Sequence, residues 1–466
     1  MPLDWLFERF RREAARDAIV WRDRTTRYGE LLERVEAASA QLAARGVQPG
    51  APVLLDADFS PGAIALLLAA IANRNIVVPI ASHVVNVDRE RYARIAEATH
   101  AIRVLPDDQV EVTALPYQPA HPLTQQLREA NAPGLVLFSS GSTGEPKAAL
   151  HNLEHLLRKF QVERHRQRIV TFLLFDHIGG FNSLMYALAN TGCVITLEGR
   201  DAASVCRAIE RHRAEVLPTS PTFLNLLLMS GEHLEHDLSS LRIISYATEV
   251  MPKATLERLH AAFPNVEMRQ NYGLSELGIL SSRSRSNDSV WVRVGGADYE
   301  TRVVDGMLQI RARSSMLGYL NAPSPFDADG WFHTHDEVEV DGEWLRFKGR
   351  RSEIINVGGE KVYPAEVEST ILEVDNVQDA TVGKEPHPFT GNIVVADVQL
   401  REPEDAAAAV KRIRAHCFAQ LESFKVPVKI RIVEHDRVTE RFKKARGTAA
   451  TSGGNATAAP EGTKTP

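Results

Sequence analysis

Only three cysteines, Cys193, Cys206 and Cys417, occur among the 466 residues. Their separation builds neither a disulfide framework nor a metal-ligand spacing, so the expected setting is a reducing cytoplasm with the three as core thiols. Long apolar runs are missing too. The longest, Ala63 to Ala72, is too short to cross a bilayer and reads as a buried helix of an α/β unit. Neither sign of charge dominates: 54 basic residues against 60 acidic ones leave a formal charge of -6, and no global positive field points to nucleic acid or an anionic membrane. Any anion site must therefore be local. The N-terminus carries Asp4, Glu8 and several arginines with no sustained apolar core behind them, which argues against a signal peptide. No repeat of fixed period is present.

A chain of this length can bury a large core and should form at least two domains. Up to about residue 350, apolar runs such as Ala51-Pro-Val-Leu-Leu, Ile76-Val-Val-Pro-Ile and Ile243-Ile-Ser-Tyr-Ala alternate with helical patterns around Leu31 and over Ala202–Arg213. That alternation predicts an α/β domain of mixed sheets covered by helices. Around 290–350 short strand-like pieces are separated by Asp305-Gly306, Asp329-Gly330 and Asp341-Gly342, which read as hairpins of a small β subdomain. A small α+β domain follows, with a Gly358-Gly359 turn, a helix over Pro364–Leu372, strands at 378–383 and 393–400 and a helix over 404–421. The expected limits are 1–349 for the large N-terminal domain and 350–447 for the small C-terminal one. Residues 448–466 hold Gly, Ala, Thr, Ser, Pro and little else, and are expected to be a disordered tail.

Residues 135–147 carry the densest chemical signal. An apolar strand breaks into Ser139, Ser140, Gly141, Ser142, Thr143 and Gly144, then Glu145, Pro146 and Lys147. The two glycines let backbone N–H groups approach an anion, the four hydroxyls add donors, and Lys147 supplies a positive charge. No Gly-Lys-Ser/Thr closes the loop, so it is not a Walker pattern. The words Ser-Ser-Gly-Ser-Thr-Gly-Glu-Pro-Lys resemble the phosphate loop of the adenylate-forming (AMP-binding) superfamily, which holds acyl- and aryl-CoA ligases, adenylation domains of peptide synthetases, and luciferases. Further segments resembling that family recur in its order over about residues 20–447.

In Gln270-Asn-Tyr-Gly-Leu-Ser-Glu276 an aromatic offers a purine platform and a carboxylate suits a hard cation that keeps most of its waters. The resemblance puts Tyr272 against adenine, Asn271 on its amino group, Ser275 near the phosphate and Glu276 on Mg²⁺, with Gly273 among the nucleotide-binding residues. Upstream, Ala247, Thr248 and Glu249 stand where the family has a Gly-rich turn flanking adenine and the acid substrate. Trp331-Phe-His-Thr-His-Asp336 resembles the stretch whose Asp binds both ribose hydroxyls, with His335 in the place of a Gly. His333 and His335 alone lack the further ligands a metal site needs.

Phe347 to Glu368 is the longest resemblance. Arg350 fits the Arg that contacts ribose or phosphate, and Ser352 falls on the hinge, where Asp or Lys is more usual. By the same likeness the small domain is mobile, and the Gly358-Gly359 loop enters the active site for the second half-reaction to admit a pantetheine thiol. Two adjacent glycines suit such close approach. Near the C-terminus, Thr439-Glu-Arg-Phe-Lys-Lys-Ala-Arg446 matches Thr-x-x-Gly-Lys-x-x-Arg with Phe442 in place of Gly, so the count from Thr439 puts the catalytic cation on Lys443 and not on Lys444.

The resemblance implies ATP-dependent activation of a carboxylic acid to an acyl-adenylate, with Mg²⁺, and transfer to the thiol of CoA or of a carrier-protein phosphopantetheine. The expected partners are a small carboxylic acid and that thiol donor. Catalysis would be positioning and charge stabilisation. The acid's identity turns on Phe175-Asp-His-Ile-Gly-Gly-Phe181. His177 and Gly180 match the His-x-x-Gly of acyl- and aryl-CoA ligases, whereas Phe175-Asp176 matches amino-acid adenylation domains, whose Asp pairs with the substrate ammonium. The fatty or aryl reading is favoured, with Phe181 and Thr219–Asn225 adding to the pocket. An amino-acid-adenylating enzyme that loads a carrier and a nucleotide-binding homologue without catalysis stay open. So does a capping role for Asp176.

Overall fold

In a computed structural model the described residues are 1–139, 145–296, 298–434 and 444. Two seven-stranded sheets and a six-stranded one build the large N-terminal part. The first sheet runs, edge to edge, through Gly318–Tyr319, Lys147–Asn152, Gly134–Ser139, Ile76–Ile80, Pro52–Asp56, His100–Val104 and Val110–Ala114. Its four inner strands from Gly134–Ser139 to His100–Val104 are parallel, with antiparallel strands at both edges. The second sheet is parallel from Glu267–Gln270 through Ile243–Tyr246, Val216–Thr219, Arg168–Val170 and Cys193–Ile195 to Asp17–Trp21, and closes with the antiparallel strand Arg24–Arg27.

One core cluster draws side chains from both sheets, such as Val53, Val77 and Leu135 of the first and Ile19, Val194 and Ile243 of the second. The helix Pro61–Ala72 belongs to it, with every residue but Gly62 buried. Its start is dictated locally. Ser60 accepts the Ala63 N–H at 3.1 Å and Pro61 supplies a preset φ at the first helical position. The expected buried helix is thus present, and truncating one of its large side chains, for instance Ile64→Ala, would cost about 2–5 kcal/mol. Among the described residues no helix is long and apolar enough to cross a membrane.

The six-stranded antiparallel sheet spans Ser282–Ser284 to Trp344–Arg350. Asp305 and Gly306, with φ of 51° and 75°, make a two-residue hairpin between Tyr299–Val304 and Met307–Ala312. Asp341 opens the hairpin to Trp344–Arg350. Asp329-Gly330 departs from the expectation: it closes a wider turn, anchored by Asp327 accepting the Asp329 and Trp331 N–H groups, between the single bridge partners Phe326 and Phe332.

The C-terminal unit has its own core cluster, built on a three-stranded sheet of Val377–His387, Gly391–Leu400 and Lys429–Ile432 under the helices Pro364–Ile371 and Ala406–Gln420. The mixed α/β architecture with a small α+β unit at the end agrees with the sequence reading. The three cysteines are buried and unbridged, and burial pushes the Cys193 and Cys417 thiols up to about 11.

Candidate active site

The stems of the phosphate loop are paired strands, Ser139 facing Lys147 across the ladder. Ser140, Gly141, Ser142, Thr143 and Gly144 lie outside the described residues. Beyond the loop, Asn321 brackets its exit: the amide nitrogen donates to the Pro146 carbonyl at 2.8 Å and the amide oxygen accepts the Ala148 N–H at 3.0 Å. The Lys147 ammonium stands 5.3 Å from the Tyr319 ring centroid, within cation–π range.

The segment expected to hold adenine begins where two parallel strands end. Asn271 N–H donates to the Tyr246 carbonyl at 2.8 Å, which puts Asn271 beside the Ala247-Thr248-Glu249 turn. Thr248 has φ of 79°, a left-handed conformation costly for a β-branched residue and one a glycine would adopt freely. The Glu249 carboxylate accepts from the Thr222 hydroxyl at 2.6 Å and from the Lys444 main-chain N–H at 2.7 Å. Tyr272 pairs with Leu280 across a short ladder that includes Gly273. Its ring lies 4.6 Å from that of Phe347 at an interplanar angle of 16°.

The Tyr272 hydroxyl donates to Asp336 at 2.5 Å, and Arg350, the cross-strand partner of Asp336, donates to the other carboxylate oxygen at 3.2 Å. Burial pushes the Asp336 carboxyl up, and Arg350 and the Tyr272 phenol partly offset that rise. His335, which stands for the family's Gly, has φ of 59°. The departure keeps the left-handed turn, a conformation His tolerates better than most side chains. His333 and His335 gain no further ligands: among the described residues no group of three His, Cys, Asp or Glu side chains could hold a metal ion.

Glu276 is fixed from three sides. The Tyr319 hydroxyl donates to its Oε1 at 2.6 Å, the Met316 N–H donates to its main-chain carbonyl at 2.8 Å, and the preceding Ser275 carbonyl accepts from His151 Nε2 at 2.6 Å. Burial lowers His151 to about 4, so the imidazole is a neutral donor at neutral pH. Burial and the Glu276 charge push the Tyr319 phenol well above its ordinary value, and it stays a donor as well. The other carboxylate oxygen of Glu276 has no hydrogen-bond partner among the described residues. A carboxylate oxygen left unpartnered among the described residues suits Mg²⁺, which takes one or two carboxylates beside substrate phosphates and water. Tyr319, His151, Asn321 and Phe347 escaped sequence reasoning, because each acts through a partner distant in the chain.

The pocket residues divide differently. His177, not Asp176, is the N-cap of the helix Ile178–Ala189: its Nδ1 accepts the Gly179 N–H at 3.0 Å. The N-cap position thus falls on His177, and Asp176, which precedes it, is buried. At Gly180 an added Cβ would stand 2.0 Å from the Leu174 carbonyl oxygen, so close backbone packing demands the glycine. Phe181 is buried in the main core. Gly358 and Gly359, with φ of 62° and 97°, form the exposed turn between Ile355–Val357 and Glu360–Val362. Ser352 is exposed in the turn after the last strand of the six-stranded sheet.

Lys443 lies outside the described residues. Lys444 is buried at the boundary between the two units, its ammonium 3.2 Å from Asp379 and 3.7 Å from Glu368 and donating to the Ala380 carbonyl. Asp379 also accepts from Asn225 of the large unit at 3.0 Å, and Arg258 donates to Asn225 at 3.0 Å. Sequence counting had no means to see this cluster, since its members come from five separate segments.

Residues 6–320 match the model of the AMP-binding enzyme family, and residues 366–443 that of the AMP-binding enzyme C-terminal domain. The chain is 32% identical over 319 residues to a 3-[(3aS,4S,7aS)-7a-methyl-1,5-dioxo-octahydro-1H-inden-4-yl]propanoyl:CoA ligase of Mycobacterium tuberculosis, a match covering 64% of this chain and 62% of that protein's length. A medium/long-chain-fatty-acid–[acyl-carrier-protein] ligase of the same species is 28% identical, with 96% of this chain and 94% of the relative covered. Among solved structures, an anthranilate CoA ligase in complex with anthranoyl-AMP superposes with a TM-score of 0.81 over 95% of both chains at 21% identity, a likeness of fold. The family match spans well over half of the residues, and the chain belongs to the AMP-binding enzymes.

Proposed function

We propose that this protein activates a carboxylic acid, fatty or aryl, with ATP to give an acyl-adenylate and pyrophosphate, then passes the acyl group to the thiol of CoA or of a carrier-protein phosphopantetheine. The observation that carries the reading is a pair of clusters, Lys147–Tyr319–Glu276 and Arg350–Asp336–Tyr272, in electrostatic reach of each other through Glu276 and Arg350, which supply a cation, a carboxylate with one oxygen unpartnered among the described residues, and a buried carboxylate flanked by an aromatic platform. Asp336 would accept the ribose hydroxyls, as a carboxylate can take two donors, with Tyr272 and Asn271 at the base. Bound at Glu276, Mg²⁺ would supply charge neutralisation to the triphosphate. The acid's carboxylate oxygen attacks the α-phosphorus in line as pyrophosphate leaves, and the chain contributes position and fixed charge.

Lys443 is assigned as the mobile cation of this step. Residues 1–349 form the AMP-binding domain and 350–447 the small domain that turns about Ser352. The Gly358-Gly359 turn, exposed and free of side chains, is the element that would follow the thiol to the site. His177, Gly180 and Phe181 set one wall of the acid pocket. The printed activities of the two relatives, a CoA ligase and a carrier-protein ligase, support a thiol acceptor, and a cytoplasmic setting suits free buried thiols.

Carboxylate-dependent exchange of labelled pyrophosphate into ATP tests the reading, run across fatty, aryl, α-amino and β-amino acids. Exchange with a fatty or aryl acid is expected. Exchange confined to amino acids, abolished by Asp176→Asn, would replace the acyl reading, and ATP binding without exchange for any acid would overturn catalysis.

A further inference from the structure

Tyr319 belongs to a strand only two residues long, yet it touches both charged groups at the phosphate end of the site. Gly318 and Tyr319 pair with Leu150 and Ala149 of the strand leaving the phosphate loop, and the Leu317 and Leu320 N–H groups extend the ladder at 2.7 and 2.9 Å. Asn321 then clamps the loop exit at Pro146 and Ala148. The same segment reaches back at Met316 to hold the Glu276 main chain. Tyr319 itself is buried, so its ring and hydroxyl occupy one fixed place.

From that place the hydroxyl donates to Glu276 Oε1 at 2.6 Å and the ring supports the Lys147 ammonium at 5.3 Å. A lysine and a glutamate that share a neighbour in a sheltered site would gain by pairing directly. Among the described residues they form no ion pair. A direct pair would neutralise both groups that a metal-bound triphosphate needs. A phenol satisfies one oxygen of the carboxylate and holds the cation by its π face without cancelling either charge. Tyr28, a tyrosine of the core, donates its hydroxyl to the Gly192 carbonyl instead of to a charged side chain.

We propose that Tyr319 is the positioning residue of the ATP half-reaction, a spacer that orients Glu276 for the divalent cation and keeps Lys147 from quenching it. The inference rests on the adenylation reading above. Its expected signature is a weakened coupling between metal and nucleotide, as loss of an outer-sphere partner of a ligating carboxylate costs tenfold or more in metal affinity.

The test is calorimetric titration of ATP into the full chain with excess Mg²⁺ and with EDTA, for wild type, Tyr319→Phe and Tyr319→Leu, the ratio of the two dissociation constants being the coupling. Tyr319→Phe keeps the ring and should leave metal-free ATP affinity within about twofold while the coupling falls about tenfold. Tyr319→Leu should weaken metal-free binding as well, because Lys147 loses its platform. Wild-type coupling retained in Tyr319→Phe, with unchanged melting, overturns the spacer role and leaves the adenylation reading standing. Wild-type protein that binds no ATP, or binds it without regard to metal, overturns both.

Discussion

Glu276 at the nucleotide end of the large unit and the Asp379 and Glu368 carboxylates at the boundary with the small unit are held by groups of opposite kinds. Among the described residues the donors around Glu276 are neutral, a phenol to its carboxylate, a main-chain amide to its carbonyl and, through Ser275, an uncharged imidazole, and one carboxylate oxygen has no hydrogen-bond partner. At the boundary, Asp379 and Glu368 face the Lys444 ammonium, with Asn225 and the Val382 N–H filling further acceptor sites. One arrangement preserves charge for a ligand. The other consumes it to hold two pieces of chain together, at a desolvation cost that only a full set of partners offsets.

The sharpest way to break the contrast is to exchange the roles of the two adjacent lysines. Lys443→Ala should lower pyrophosphate exchange by orders of magnitude with ATP affinity nearly intact, whereas Lys444→Met should lower exchange far less and instead destabilise the fold by about 3–5 kcal/mol in urea unfolding, as two buried carboxylates lose their cation. The reverse pattern would move the catalytic position to Lys444.

A second, smaller effect concerns pH. His151 titrates near 4 in the folded chain against an ordinary 6.5, so the unfolded chain takes up the proton first as pH falls. Stability present above about pH 6.5 should therefore be lost between 6.5 and 4, on the order of 3 kcal/mol in total. Unfolding free energies across that window should show a slope that His151→Gln flattens; an equal slope in both proteins would place the titration elsewhere.

The smallest expected effect is at the turn joining the regions. Thr248→Gly relieves the left-handed threonine and should stabilise the chain by about 1 kcal/mol, read as a rise in Tm; an unchanged or lower Tm would count against strain at this turn.

Much of the scaffold was legible because its signals are local. Alternating apolar runs and helical patterns marked the sheets and helices of the large unit, Asp305-Gly306 marked a hairpin, and the apolar run Ala63 to Ala72 marked a buried helix. The carboxylates Glu276 and Asp336 were legible through the words around them. Their supports were not: Tyr319 finds Lys147 through a ladder between strands far apart in sequence, and Lys444 looks like any surface lysine until Asp379 and Glu368 fold around it. At Asp176 and His177 the N-cap falls on the residue less usual in that role, since an imidazole nitrogen can also accept a main-chain N–H.

The Gly318–Tyr319 strand has one more effect, on what the molecule avoids. It forms the outer edge of the first sheet, where an unpaired ladder would invite a neighbouring chain to add a strand. A strand of two residues, extended only by the Leu317 and Leu320 N–H groups and followed by Asn321 folding back on Pro146 and then by Pro323, leaves such a neighbour little backbone to grip. The stub that steadies the phosphate end thus also guards the protein against self-association, and lengthening it would trade solubility for nothing the site requires.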